Sequence, residues 1–293
     1  MSREFTTIGI IGAGQMGAGI AQVCMTAGYG VLLSDRDPRA LQAAESRITT
    51  ALARQQERGK LTPEAVAAAL PHLHLCTGMP DLAPADLVIE AATENEVLKR
   101  QIFQDLIPHL RPETILASNT SSLSITRLAA CTDRPERFMG VHFMNPVPVM
   151  QLVELIRGIA TDDATFDACQ GLVARLQKTA TISADYPAFI VNRILMPMIN
   201  EAVYTLYEGV GNVRSIDSSM RLGANHPMGP LELADFIGLD TCLSIMQVLH
   251  LGLGDSKYRA CPLLVKYVEA GWLGRKSGRG FYDYRSGTAE PSR

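Results

Sequence analysis

The sequence predicts an α/β chain: a mostly parallel sheet with helices on both faces, followed by an all-α C-terminal third. Three observations predict it. Short apolar runs alternate with helical stretches as far as about residue 185, the pattern of repeated βαβ units. The first run, Thr7–Ile11, opens at once into Gly12-Ala13-Gly14-Gln15-Met16-Gly17 and then a helix. Beyond Asp185-Tyr186-Pro187 the strand pattern stops and helical periodicity takes over. The expected domains are therefore 1–185, with a helical hairpin inserted at about 38–70, and an all-helical 186–293.

Composition narrows the function classes. With 47% hydrophobic and 19% charged residues in 293, the chain builds a sizeable core. A net charge of -3 argues against a bulk nucleic-acid binder. None of the six cysteines forms a C-x-x-C pair, so free thiols in a reducing compartment are expected, not disulfides or a metal site. The opening MSREFTT has no signal-peptide apolar region, and no apolar run reaches the roughly 18 residues of a membrane span. A soluble cytoplasmic protein with no membrane partner is the expectation.

The first strand, turn and helix form a G-x-G-x-x-G motif in the context that gives it meaning. Its glycines let backbone N–H groups approach a pyrophosphate, which a helix N-terminus attracts. The cofactor-binding set therefore starts with Gly12, Ala13, Gly14, Gln15, Met16 and Gly17. The second strand, Val31–Asp35, ends in an acid that would accept from ribose hydroxyls and repel a 2′-phosphate. NAD is thus favoured over NADP, although the adjacent Arg36 is the residue type that accommodates such a phosphate. Pro38 starts a long helix to about Arg58, on which Arg47, Arg54 and Arg58 share a face. They can clamp a phosphorylated substrate or form a solvated charged face.

Strands follow at 72–75 and 86–91, a helix from Glu94 to about Leu110, and a strand at 114–117. Ligands in such sheets bind beyond the C-terminal strand ends, which is where Ser118-Asn119-Thr120-Ser121-Ser122 lies. Asn119 and Ser121 are expected to face cofactor and substrate. The alternative for Ser121 is helix capping, a role that Ser122 or Ser124 can also fill. A strand at 138–142 ends in His142, Asn145-Pro146-Val147-Pro148 makes a turn, and a strand at 151–156 places Glu154 among apolar neighbours. A carboxylate there is costly unless paired. Paired to one nitrogen of His142, it fixes the tautomer and leaves the other nitrogen as a base. A helix at about 164–177 and a strand at 179–183 complete the first domain.

The last third reads as helices at 189–209, 213–222, 230–249 and 262–270, with more apolar surface than one small helical layer buries. A homodimer through this domain is expected. The glycine-rich basic tail, 271–284, either folds back over a cofactor or is a loop; the loop is favoured.

These residues together resemble the short-chain L-3-hydroxyacyl-CoA dehydrogenase family. The carrying stretches are IGIIGAGQMGAGIA, DLVIEAATENEVLK, ASNTSSLSIT, VHFMNPVPVMQLVEL, FIVNRILMPMINEA, LGANHPMGPLELADFIGLD and GRKSGRGFYDY, which span essentially the whole chain. The resemblance implies roles for individual residues. His142 matches the family's catalytic base and Glu154 its orienting carboxylate. Ser121 and Asn192 match substrate-polarising side chains. Asp35 matches the adenine-ribose ligand, and Glu94, Lys99, Asn145 and Lys276 match further cofactor contacts. The family's helical hairpin grips CoA, which points to Arg54, Arg58 and Lys60, although the hairpin is the least well matched part. One departure is Ala188, where the family usually has glycine; altered substrate fit, not lost activity, is expected from it.

The implied reaction is hydride transfer between C3 of a 3-hydroxyacyl-CoA and NAD, with His142 as acid and base. Two rivals remain from the sequence. One is a dehydrogenase of a free hydroxy acid or sugar acid, which keeps the base and needs no CoA clamp. The other is a non-catalytic NAD-binding protein, against which the presence of both His142 and Glu154 counts.

Overall fold

The computed structural model describes residues 4–292. The chain divides into two compact units, the first ending at Phe189 and the second beginning at Ile190. In the first unit, chain order runs β1 (Thr7–Ile11), α1 (Gln15–Thr26), β2 (Gly30–Ser34), α2 (Pro38–Glu57), α3 (Pro63–Ala69), β3 (Leu73–Cys76), β4 (Leu87–Glu90), α4 (Glu96–Leu106) and β5 (Ile115–Ser118). It continues with α5 (Ile125–Ala129), β6 (Phe138–Phe143), β7 (Leu152–Arg157), α6 (Asp163–Arg175) and β8 (Thr179–Ala184). The second unit holds α7 (Val191–Tyr207), α8 (Val213–Gly223), α9 (Pro230–Ile237), α10 (Leu239–Leu253), α11 (Pro262–Glu269) and a small β9 (Tyr282–Asp283) and β10 (Glu290–Pro291) pair.

Among the described residues, eight strands form one sheet in the order β3-β2-β1-β4-β5-β6-β7-β8. Every neighbouring pair is parallel except β6 and β7, which are antiparallel. That exception follows from the connection: β6 and β7 are joined by a short turn, whereas parallel neighbours need a longer crossover. The strand order reverses at β1, the switch point at which such sheets bind ligands. Alternation along the strands sorts the core into two layers. Ile8, Ile10, Val31, Leu33, Ile89, Val141, Val153 and Leu155 pack with α1, α2 and α6 on one face. Val88, Leu116, Phe138 and Ile156 pack with Phe103 of α4 and Leu128 of α5 on the other.

Local chemistry sets most helix starts. Asp37 caps α2 ahead of Pro38, Asn95 caps α4 through Leu98 N, Ser124 caps α5 through Arg127 N, and Asp162 caps α6 through Thr165 N. Two expectations need correction. The stretch 230–249 is not one helix: it breaks at Gly238, whose φ is +105°, and α9 meets α10 at 97°. The apolar periodicity continues across the break, and only the glycine's left-handed backbone allows it. A helix expected to reach about Leu110 ends as α4 at Leu106 and gives way to a 3₁₀ turn, Ile107–His109, in which Pro108 has no N–H to continue the ladder.

The tail is also not a loop. Phe281 is fully buried, and its N–H donates to Asp235 Oδ1 at 2.9 Å. Asp235 Oδ2 accepts from Tyr282 N at 2.9 Å and from the Tyr284 hydroxyl at 3.0 Å, while the Tyr282 hydroxyl donates to Asp217 Oδ2 at 2.8 Å. A Cβ on Gly280 would lie 1.9 Å from Asp235 Oδ1, so glycine is what lets the tail close on α9. Burial pushes the Asp235 carboxyl up to about 6, outweighing those hydrogen bonds, and raises Asp217 for the same reason.

Ala188 adopts φ +61° and Phe189 φ +52° in the turn before α7. Ala188 thus takes a left-handed conformation that favours glycine. Relieving it with glycine would gain about 1–2 kcal/mol. Extra unfolded-chain entropy would cost about 0.4–1 kcal/mol and the lost buried methyl about 0.8 kcal/mol. These nearly cancel, so Ala188→Gly should move the unfolding free energy by less than about 1 kcal/mol in urea titration. Ala188→Val, with a branched side chain at positive φ, should lose more than about 2 kcal/mol.

Candidate active site

The nucleotide end is built from three glycines and one acid. Gly12 sits at φ +101° with its N–H donating to Ser34 O at 2.8 Å, and a Cβ there would lie 2.5 Å from Ala92 Cα. Gly17 packs so closely beneath it that a Cβ would come 1.7 Å from Gly12 O. Gly14 is the N-cap residue of α1, and nothing lies within 4 Å of where its Cβ would be. The helix has no side-chain cap and no acid in its first turn. Its first N–H groups, around Gln15 and half-buried Met16, are therefore left for an outside acceptor. Asp35 is pinned at the end of β2: Oδ2 accepts from Ala13 N at 2.8 Å and Oδ1 from Asp37 N at 3.0 Å. An open glycine cradle at an uncapped helix start, with a fixed carboxylate beside it, fits a dinucleotide. Arg36, beside it, is exposed.

Beyond β4 and β5 stands a dense polar cluster. Glu94 Oε1 accepts from Thr120 Oγ1, Ser121 N and Ser121 Oγ at 2.8 Å each, and from Ser122 Oγ at 2.9 Å. The turn carrying Ser121 is therefore wrapped around one carboxylate oxygen. Ser124, not Ser121, caps the next helix, so the capping alternative for Ser121 falls away. Lys99 is 1% exposed; its Nζ lies 2.5 Å from Glu90 Oε2 and 3.9 Å from Glu94 Oε2. Asn119 is buried and its Oδ1 accepts from Phe143 N at 2.8 Å, tying this turn to the end of β6 next to His142.

His142 and Glu154 are direct cross-strand partners in the antiparallel β6–β7 pair. His142 Nδ1 lies 2.8 Å from Glu154 Oε2, with Glu154 fully buried and His142 6% exposed. A carboxylate oxygen only accepts, so Nδ1 carries the proton and Nε2 is the nitrogen left for a substrate. The Phe189 ring packs against the imidazole at 5.8 Å between centroids. Asn145 follows β6 in a turn with a cis Asn145–Pro146 peptide, and its Oδ1 accepts from Gln15 Nε2 at 3.0 Å. That bond joins the turn to the glycine motif. A dyad of this kind at the end of a sheet, near a dinucleotide cradle, can move a hydroxyl proton while a hydride leaves the same carbon.

Comparison with known proteins agrees over the full length. Residues 7–186 match the 3-hydroxyacyl-CoA dehydrogenase NAD-binding domain, and residues 189–284 match the 3-hydroxyacyl-CoA dehydrogenase C-terminal domain. The chain belongs to the 3-hydroxyacyl-CoA dehydrogenase family. It is 64% identical to a 3-hydroxybutyryl-CoA dehydrogenase of Bradyrhizobium diazoefficiens, over 100% of both chains. It is 55% identical to a probable 3-hydroxybutyryl-CoA dehydrogenase of Bacillus subtilis, over 98% of this chain and 100% of that one. Among solved structures, the (S)-3-hydroxybutyryl-CoA dehydrogenase of Ralstonia eutropha is 49% identical with a TM-score of 0.93, covering 96% of this chain and 99% of that one.

The other residues that the resemblance singles out lie elsewhere in this 3-hydroxyacyl-CoA dehydrogenase. Asn192 is half-buried in the first turn of α7. Lys276 lies in a 3₁₀ turn of the second unit, Arg275–Ser277, and its Nζ donates to Asp240 Oδ2 at 2.7 Å. Arg54, Arg58 and Lys60 are exposed at the far end of α2 and just after it. Arg47, nearer the start of that helix, borders a cavity of about 160 Å³ shared with Gln15, Gly19, Ile48, Asn145 and Val147. Sequence reasoning missed Glu90. Its signal was there: an acid ending the apolar run of β4 is too costly to bury without a partner, and Lys99 follows on the next helix.

Proposed function

We propose that this chain interconverts (S)-3-hydroxybutyryl-CoA and acetoacetyl-CoA with NAD. The observation that carries the reading is the buried His142–Glu154 pair, with one imidazole nitrogen fixed and the other left to act. The 64% identity to a named 3-hydroxybutyryl-CoA dehydrogenase over the full length supports the substrate. The nicotinamide cofactor, when bound, supplies the hydride acceptor or donor. In oxidation, His142 Nε2 takes the proton of the C3 hydroxyl, and Glu154 steadies the imidazolium through Nδ1–H. In reduction, the same Nε2 returns that proton to the C3 oxygen. Ser121 Oγ is assigned to hold the reacting oxygen, and Asn192 is assigned the same polarising role on the resemblance. Lys99 and Lys276 are held by carboxylates in this structure, and their proposed part is in the cofactor environment. The exposed apolar side chains of the second unit, Tyr207, Val210, Leu222 and Leu251, support the expectation of a homodimer.

Asp35 supports NAD as the working cofactor. Its carboxylate would meet a 2′-phosphate as a like charge, at a cost of up to about 4 kcal/mol near the surface. The test is steady-state oxidation of NADH and NADPH with acetoacetyl-CoA and with free acetoacetate. Acetoacetyl-CoA with NADH should turn over, and NADPH should be at least about tenfold poorer in kcat/KM. Free acetoacetate turning over as well as the thioester would overturn the CoA reading.

A further inference from the structure

We infer that Glu90, a residue outside the reacting groups, is a positioning residue that sets where Ser121 stands. Glu90 is fully buried at the C-terminal end of β4. Its Oε2 takes both the Lys99 ammonium at 2.5 Å and the Ser118 hydroxyl at 2.8 Å, and its Oε1 accepts from Ala92 N at 2.8 Å. Its backbone O accepts from Asn119 N at 2.8 Å. Two routes therefore run from this one residue to Ser121. Through Ser118 and Asn119 it holds the start of the Ser121 turn. Through Lys99 it places a positive charge 3.9 Å from Glu94 Oε2, while Glu94 Oε1 gathers the hydroxyl and amide of Ser121.

The order of charges matters. Glu90, Lys99 and Glu94 form a minus-plus-minus row in which the buried lysine is held mainly by Glu90 and only loosely by Glu94. Remove the charge of Glu90 and Lys99 has one carboxylate left. A buried ammonium moves to the remaining counter-charge, since leaving it uncompensated is strongly unfavourable. Glu94 then turns toward Lys99, and its hold on the Ser121 turn loosens. A shift of this size at a substrate-holding hydroxyl costs turnover before it costs binding, because orientation is what the site supplies.

The inference rests on the proposed role of Ser121, and its test separates the two. Amide exchange of the ligand-free protein is followed by mass spectrometry in Glu90→Gln and in the charge-balanced pair Glu90→Leu with Lys99→Met, beside kcat and KM for acetoacetyl-CoA. Exchange over 119–123 should rise at least about tenfold in Glu90→Gln, where Lys99 draws Glu94 away, and also in the pair, where Ser118 loses its acceptor and Glu94 its neighbouring cation; the amides of Ser121, Ser122 and Leu123 donate to Glu94 and Thr120 side chains in this cluster, while α6 stays protected. The paired variant should regain thermal stability lost in Glu90→Gln, because a buried ion pair replaced by apolar groups is often neutral or better. Its kcat should nonetheless stay roughly 10- to 100-fold down with KM within about threefold. Unchanged exchange at 119–123 in both variants overturns the inference, and so does a paired variant whose kcat recovers with its stability, which would make Glu90 a counter-charge only. A parent protein inactive on acetoacetyl-CoA would fail the proposed function and leave the exchange measurement to decide the coupling.

Discussion

His142→Gln should lower kcat with acetoacetyl-CoA and NADH by about 10²- to 10⁴-fold, the range that a positioned acid–base group contributes. Glutamine keeps a donor near Glu154 Oε2, so the buried carboxylate retains a hydrogen bond where the Nδ1–H stood. What glutamine lacks is a nitrogen that takes and returns a proton near neutral pH. The loss should fall on kcat, with NADH affinity, read by fluorescence titration, within about twofold of the parent, because the glycine turn and Asp35 are untouched. A variant that keeps more than about a tenth of the parent's kcat would remove His142 from the chemistry.

The second large effect is at the glycine turn, where two neighbouring substitutions should part company. In Gly17→Ala the new methyl would sit 1.7 Å from Gly12 O, a backbone atom that cannot step aside alone. The β1–α1 turn must open, at a cost of about 1–3 kcal/mol for such overpacking, and NADH binding should fall by roughly 5- to 150-fold. Gly14 is different: its φ is -68° and no atom lies within 4 Å of the new Cβ. Gly14→Ala should therefore fold with a Tm close to the parent's and still lose NADH affinity, because the methyl occupies the space that a pyrophosphate approaches. Calorimetry for stability and fluorescence for NADH read the two effects separately. Equal, undiminished NADH binding in both variants would take the cofactor away from this turn.

Much of the molecule was legible from local pattern. The alternation of apolar runs and helical stretches carried the parallel sheet, because strands buried on both faces must be apolar along their length. The glycine motif announced itself by spacing, since the turn needs glycine where Gly17 packs against Gly12. His142 and Glu154 were legible because each stands at the end of, or within, an apolar strand and a buried carboxylate demands a partner.

Other features depended on what the fold brings together. Whether Ser121, Ser122 or Ser124 capped the next helix was undecided from the sequence. In the fold Ser124 takes the cap, and Glu94 gathers the hydroxyls of Thr120, Ser121 and Ser122. The tail looked like a loop because glycine and basic residues dominate it. The burial of Phe281 against α9 depends on Asp235, which lies far earlier in the chain.

Periodicity is a local quantity, so local pattern carried most element types, the glycine turn and the pairing of His142 with Glu154. Tertiary structure alone decided which polar side chains share a carboxylate. Burial leaves each buried charge needing a partner from whichever element the fold delivers, and for Glu90 that partner was Lys99.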